Sequence, residues 1–364
     1  MKVKLGDYVL MVQEREVLKK VDTSKYVSTE NILADRNGVK FPANTIPLSK
    51  TITTYKKDDI LISNIRPYFK KIWKAEFDGP KSNDVIAFRT KDSRLLQDYL
   101  YVVLQSDNFF NYVTNTAKGT KMPRGDKKAI INYEFELPNI QLQRKISHTI
   151  LVLEKKIRLN NQINDNLMKL NTLLFQQLSV DSDYTLSNFT DCQNGFAFKS
   201  SEYITNNELL ILRTLNMTSD HLFSKNGVKY ISKVYKEKYQ KFEFKKFDTT
   251  LVMVGASIGK MALITTNVIP SLQNQNMWRF RSKSKMPGLL IYDMVQYVND
   301  RVRSSATGSA RSFYRKKMFL NSKVPVISEK YYDIFLAIQE KINNIANENE
   351  TLSNLKNVLL SKYF

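Results

Sequence analysis

Ile157-Arg-Leu-Asn160-Asn-Gln-Ile-Asn164-Asp-Asn-Leu167-Met-Lys-Leu170-Asn-Thr-Leu-Leu174 decides the fold. It lies in a stretch, Asn139 to about Leu178, with no proline and no glycine. Two series at seven-residue steps run through that stretch: Ile146, Leu153, Asn160, Leu167, Leu174, and Ile150, Ile157, Asn164, Asn171, Leu178. A 3.5-residue apolar repeat is the sign of a coiled coil. The end of the chain repeats it through Ile338, Ile345, Leu352 and Leu359. Ile157, Asn164, Leu167, Leu170 and Leu174 fall on Ile342, Asn349, Leu352, Leu355 and Leu359 at a constant offset of 185. At about 1.5 Å per residue, forty helical residues reach about 60 Å, longer than one domain of this chain. The sequence therefore predicts two long helices pairing as an antiparallel coiled coil. Asn160, Asn164 and Asn349 stand at core-type positions, where paired amides fix register. The alternative is a wet seam that binds another protein.

Working outward, the segments before each helix also echo each other. Val3-Lys-Leu5-Gly-Asp-Tyr8 opens the first and Tyr184-Thr-Leu186-Ser-Asn-Phe189 opens the second, 181 residues later. Asp58-Asp-Ile-Leu-Ile62 answers Asp248-Thr-Thr-Leu-Val-Met253, each read as a turn entering a short buried strand. Amphipathic helical stretches follow at Leu95–Gln105 and Leu289–Val302. Then come basic loops opened by a glycine, Gly119–Lys128 and Gly308–Lys317, each running on to a proline, Pro138 or Pro325. The expected order is globule 1–138, helix 139–180, globule 181–325, helix 326–364, an α+β chain of two mixed α/β domains.

Composition narrows the function. The chain has 364 residues, enough for two domains at roughly 100–200 residues each. Its 56 Lys and Arg against 35 Asp and Glu leave +21, which favours a polyanionic partner, most simply nucleic acid. The excess sits in the two globules (+7 and +11) and the first helix (+4), not in a tail. A single cysteine, Cys192, excludes an internal disulfide framework and a Cys-rich zinc site. Two histidines leave little for His-based metal or triad chemistry. No apolar run suits a secretory signal or a membrane span, so a cytoplasmic location is expected.

Catalytic signatures are weak. Gly255-Ala-Ser-Ile-Gly259-Lys260-Met261 is one residue short of a phosphate loop, with Met261 where Ser or Thr would hold magnesium. It reads instead as a strand turn. Glu243-Phe-Lys245 has the Glu-x-Lys half of a metal nuclease site without a supporting Pro-Asp. Asp58 and Asp59 read as turn residues, and Trp73 and Trp278 as core. No metal site and no catalytic residue is expected.

The ordered set of segments resembles the specificity (S) subunits of type I DNA restriction–modification systems. The resemblance runs over nearly the whole chain. It rests on the duplicated order, the two openings, Asn194-Gly-Phe-Ala-Phe-Lys-Ser-Ser201, Gly255–Lys260, Gln273-Asn-Gln-Asn276, Gly308–Phe319 and the Asn-rich helices. It implies that each globule is a target recognition domain reading half of a split duplex DNA sequence. It implies that the paired helices set the spacing and dock two modification (methyltransferase) subunits. Those subunits would use S-adenosylmethionine, and restriction subunits would add ATP- and Mg2+-dependent cleavage, with no cofactor in this chain.

Base edges are read by Arg, Lys, Asn, Gln and Ser, while excess Lys binds phosphate. The candidate DNA-binding residues are Arg66, Lys121, Arg124, Lys127, Lys128, Lys199, Lys260, Arg311, Arg315, Lys316 and Lys317. The candidate helix-pairing and docking residues are Ile146, Leu153, Ile157, Asn160, Asn164, Leu167, Leu174, Ile338, Ile342, Ile345, Asn349, Leu352 and Leu359. Two competing readings are a metal-dependent DNA nuclease using Glu243 and Lys245, and a coiled-coil scaffold binding nucleic acid without sequence preference.

Overall fold

The computed structural model describes the chain except residues 47, 48, 206, 207, 219 and 306–313, and no side chains at 304 and 305. It divides into two compact units, Met1–Lys156 with Ser353–Phe364, and Ile157–Leu352.

The first unit is built on four antiparallel strands: β1 (Val9–Val12), β2 (Ile60–Ser63), β3 (Ile72–Lys74) and β4 (Val85–Thr90). They lie in the order β1-β4-β2-β3. Ile60, Ile62, Ile72, Ile86 and Phe88 face one core, which helices α1 (Gln97–Gln105) and α2 (Asp107–Asn115) cover with Leu100, Leu104, Phe109 and Phe110. The opposite face, with Leu61, Trp73 and Ala87, packs in a second cluster with Tyr55 from a three-stranded sheet, Arg15–Val17, Thr51–Tyr55 and Gly79–Lys81. The period-2 alternation of each strand thus serves two cores at once.

The second unit repeats the plan. Strands β5 (Thr190–Asn194), β6 (Thr249–Val252), β7 (Met261–Leu263) and β8 (Met277–Ser282) take the order β5-β8-β6-β7. Helix α4 (Gly288–Ser305) covers them; α3 is the long helix introduced below. Its second sheet has four strands rather than three, and pairs Leu209–Leu212 in parallel with Ser271–Gln273. Here two of the sequence motifs meet. Phe196 N–H donates to Gln273 O at 3.1 Å, and a Cβ on Gly195 would overlap the Asn274 carbonyl, so only glycine fits.

Helix α3 spans Ile140–Leu178, 39 residues, and α5 spans Tyr332–Tyr363, 32 residues. Helix α5 starts after Pro325 and Val326, because Val326 is paired with Val180 and a tight turn, Glu329–Tyr331, intervenes. The two helices are antiparallel: Lys356 meets Glu154 at 3.2 Å in the first unit, and Asn160 meets Asn349 at 2.9 Å in the second. Each unit takes its own stretch of the pair into its core, Ile146, Ile150 and Leu360 in one, Met168, Phe175, Ile338 and Ile342 in the other. No helix among the described residues is long and apolar enough to cross a membrane.

Candidate nucleic-acid interface

A buried Asp–Arg clasp anchors the site in each unit. Asp59, 1% exposed, accepts from Arg89 Nε and Nη2 at 2.7 and 2.8 Å and from Lys56 N–H at 2.8 Å. Asp248, also 1% exposed, accepts from Arg281 Nε and Nη2 at 2.8 and 2.6 Å and from Lys245 N–H at 2.7 Å. Both aspartates precede the strand entering the hairpin, β2 or β6, and both arginines lie on the neighbouring strand, β4 or β8. The fork geometry suits bidentate pairing and holds the hairpin root. Asp59 is therefore a buried ion-pair partner and not merely a turn residue. The sequence hid the clasp because its partners lie 30 and 33 residues apart.

From each clasp a hairpin leads to an eight-residue turn, Asn64–Lys71 between β2 and β3 and Met253–Lys260 between β6 and β7. The basic loop of the same unit docks on it. Gly125 N–H donates to Asn64 O at 3.0 Å, and at the equivalent place Tyr314 N–H donates to Met253 O at 3.3 Å. Arg66 N–H also donates to Pro123 O at 2.7 Å, and Ile65 bridges to Arg124. Arg66 is thus brought beside the loop segment Pro123-Arg124, and that loop also carries Lys121, Lys127 and Lys128; these three and Arg124 are exposed. Asp126 caps the short helix Lys127–Ile131, and the Lys118 ammonium with the Lys128 N–H holds its carboxyl below the usual range. Arg124 leans on Asp84 at 3.4 Å but stays largely in solvent.

In the second unit Arg315 and Lys317 are exposed at the start of the helix Lys316–Leu320. Lys316 donates to Cys192 O at 2.6 Å and to Asn194 Oδ1 at 3.3 Å, and Lys260 donates to Met217 O at 2.6 Å. The Lys316 ammonium ties its loop to β5, and that of Lys260 ties its turn to the segment after Thr214–Asn216. Lys199 is exposed ahead of the turn Ser200–Glu202. Arg311 lies outside the described residues. Burial pushes the Cys192 thiol up to about 12, so it is no nucleophile.

Glu243 contributes its main-chain carbonyl to Arg279 and Arg281, both at 2.9 Å, and Phe244 is buried beside it. Among the described residues no group of three or more His, Cys, Asp or Glu is placed to hold a metal.

On the helices, Ile146, Asn160, Asn164, Ile338, Ile342 and Ile345 are buried, while Leu153, Ile157, Leu167, Leu174, Asn349, Leu352 and Leu359 are half-buried. Asn160 Nδ2 donates to Glu348 and Asn349, and Asn349 Nδ2 to Asn161, a paired polar layer across the seam. Asn164 is fully buried with neither amide atom bonded among the described residues. Met168 and Phe175 fill seam positions that the seven-residue series passes over, because α3 also faces a domain core. Leu170 and Leu355, equivalent in the repeat, are both 46% exposed. Their neighbours Leu173 and Val358 are 58% and 62% exposed.

Residues 10–169 match the type I restriction modification DNA specificity domain. The chain is 24% identical over 381 aligned positions to the type I restriction enzyme MjaVIII specificity subunit of Methanocaldococcus jannaschii, covering 95% of this chain and 85% of that one. It is 26% identical over 153 positions to the HindI specificity subunit of Haemophilus influenzae, covering 40% of this chain and 33% of the relative. A type I restriction–modification S subunit from M. genitalium shares the fold over 100% of this chain and 96% of its own, with a TM-score of 0.56 at 15% identity.

Proposed function

We propose, from the premise that the chain belongs with the specificity subunits of type I restriction–modification systems, that it reads a split duplex DNA target and performs no chemistry itself. The observation that carries this reading is the duplication of one clasp–turn–loop assembly, with matching bonds at Asp59 and Asp248 and at Asn64 and Met253. Each copy carries exposed cations on its loop, so each can hold one half-site. Linking two modest binders raises the effective concentration at the second site. Residues 1–138 and 181–325 act as the two recognition domains, and 139–180 and 326–364 as the helices between them.

The exposed apolar residues of the helices give each unit a docking face. The first unit offers Val152, Leu355 and Val358, and the second Leu159, Ile163, Leu170 and Leu173. One face per unit matches two modification subunits. S-adenosylmethionine belongs to those subunits, and ATP and Mg2+ to restriction subunits. A cytoplasmic location goes with this assembly.

The test is to map methylation on genomic DNA with the chain, a modification subunit, and both together. Methylation at a bipartite sequence only with both supports the reading. Turnover by the purified chain alone overturns it. In filter binding, duplex DNA should outcompete single-stranded DNA and RNA.

A further inference from the structure

The turn Asn64–Lys71 carries an aromatic pair that the polar contacts above leave unused. Tyr68 is 46% exposed and Phe69 39%, with ring centroids 4.7 Å apart and planes tilted by 53°. The backbone beneath them is pinned on both sides. Phe69 N–H donates to Arg66 O at 3.0 Å and Lys70 N–H to Pro67 O at 2.9 Å, with Pro67 buried at the start of the turn. From outside, Asp35 N–H donates to Phe69 O at 2.8 Å and Arg36 N–H to Lys70 O at 3.0 Å, while Arg36 and Lys70 both pair with Asp107. Little loop freedom remains to be lost when such a tip meets a partner.

The surroundings name the partner. Arg66 lies two residues before the rings, and the loop bonded to the turn adds the exposed Lys121, Arg124 and Lys127, while Lys70 and Lys118 are paired with Asp107 and Asp126. A cationic rim around an apolar tip fits a polyanion with apolar surface inside it, which describes bases within their phosphates. The equivalent turn of the second unit has Ser257 and Ile258 in these places.

We infer that Tyr68 and Phe69 make an apolar contact to base surface in the half-site held by the first unit, fixing its sequence or shape preference. This rests on the DNA-specificity reading. Apolar contact to a base edge in the duplex, such as a thymine methyl in the major groove, depends on which base is present and does not release counterions.

The experiment uses the full chain assembled with its modification subunits. Binding is measured across a salt series on the mapped target duplex and on two duplexes with one half-site scrambled each. Tyr68→Ala with Phe69→Ala should lose roughly ten- to a hundredfold in affinity for the intact target, as losing one specific base-pair contact does. The salt slope should not change. The loss should vanish when one particular half-site is scrambled and persist when the other is. Tyr68→Phe, which keeps both rings, should bind as the unsubstituted chain does. Equal affinity of the double variant, a loss shared by all three duplexes, or a Tyr68→Phe loss as large as the double variant's overturns the inference. If the unsubstituted assembly shows no preference for any duplex, the proposed function falls and this inference with it. If it discriminates and the double variant matches it, only the inference falls.

Discussion

The turn Asn64-Ile-Arg-Pro-Tyr-Phe-Lys-Lys71 and the turn Met253-Val-Gly-Ala-Ser-Ile-Gly-Lys260 occupy the same place in the two units. Their backbones agree closely. The first has positive φ at Arg66 (51°) and Lys70 (50°), and the second at Gly255 (91°) and Gly259 (84°), the same two steps along the turn. Glycine takes that conformation at no steric cost, whereas Arg and Lys resist it. The first turn therefore keeps side chains where the backbone would prefer none, and the second gives them up. One hairpin geometry is shared, and what differs is the surface it offers to solvent.

Breaking the clasps gives the largest effect. Asp59→Ala and Asp248→Ala each leave a partly buried guanidinium and a backbone N–H without their carboxylate, and should cost about 2–4 kcal/mol in the unit concerned. Urea unfolding, followed separately by Trp73 and Trp278 fluorescence, checks this; a loss in only one unit would show that the two scaffolds are not equivalent.

A feature with no partner in the other unit comes next. Asp293 is buried on α4, where it accepts from Asn171 Nδ2 at 2.6 Å and Thr172 Oγ1 at 3.3 Å. At the repeat position of Asn171 the first unit has Lys356, paired with Glu154 instead. Burial pushes the Asp293 carboxyl up to about 7. The folded unit then binds a proton more firmly than the unfolded chain, so its stability falls as pH rises from about 4 to about 7 and levels off above. The cost at pH 8 is at most about 4 kcal/mol. Asp293→Asn should flatten the slope between pH 5 and 8 for the second unit and leave the first unchanged. Thermal unfolding at several pH values reads it, and an unaltered slope would assign the dependence to another group.

The smallest effects belong to the loops. Arg124→Ala and Arg315→Ala should each weaken binding by ~1–3 kcal/mol at one half-site if a guanine edge is read. A phosphate contact would weaken all sequences alike and make the salt slope shallower by about one. Opposite behaviour of the two arginines would mean that the loops differ in role as well as in sequence.

Much of this was legible in the sequence, and unevenly. The long helices were, because a seven-residue period needs only local order; their inner face was less legible, since Met168 and Phe175 fill seam positions where the helix pair also joins a domain core. The duplicated order was legible at its openings, its hairpins and its basic loops. The clasps were not, because nothing local marks Arg89 as the partner of Asp59. Nor was the split among cations: Lys260 and Lys316 look like Lys121 in sequence, yet their ammonium groups reach backbone carbonyls while Lys121 lies exposed. Nothing in the sequence separates the exposed pair Tyr68 and Phe69 from a core aromatic such as Trp73, because their exposure depends on the strands around them.

Gly195 carries a practical lesson for anyone wishing to retarget the molecule. A mutant library over Asn194–Ser201 that randomised position 195 would spend its diversity on chains that cannot close, since any side chain there collides with the Asn274 backbone. Held at glycine, with both clasps intact, the same scaffold leaves exposed positions in its turns and loops free to vary, and on the proposed function a change of target becomes a search over those surfaces alone.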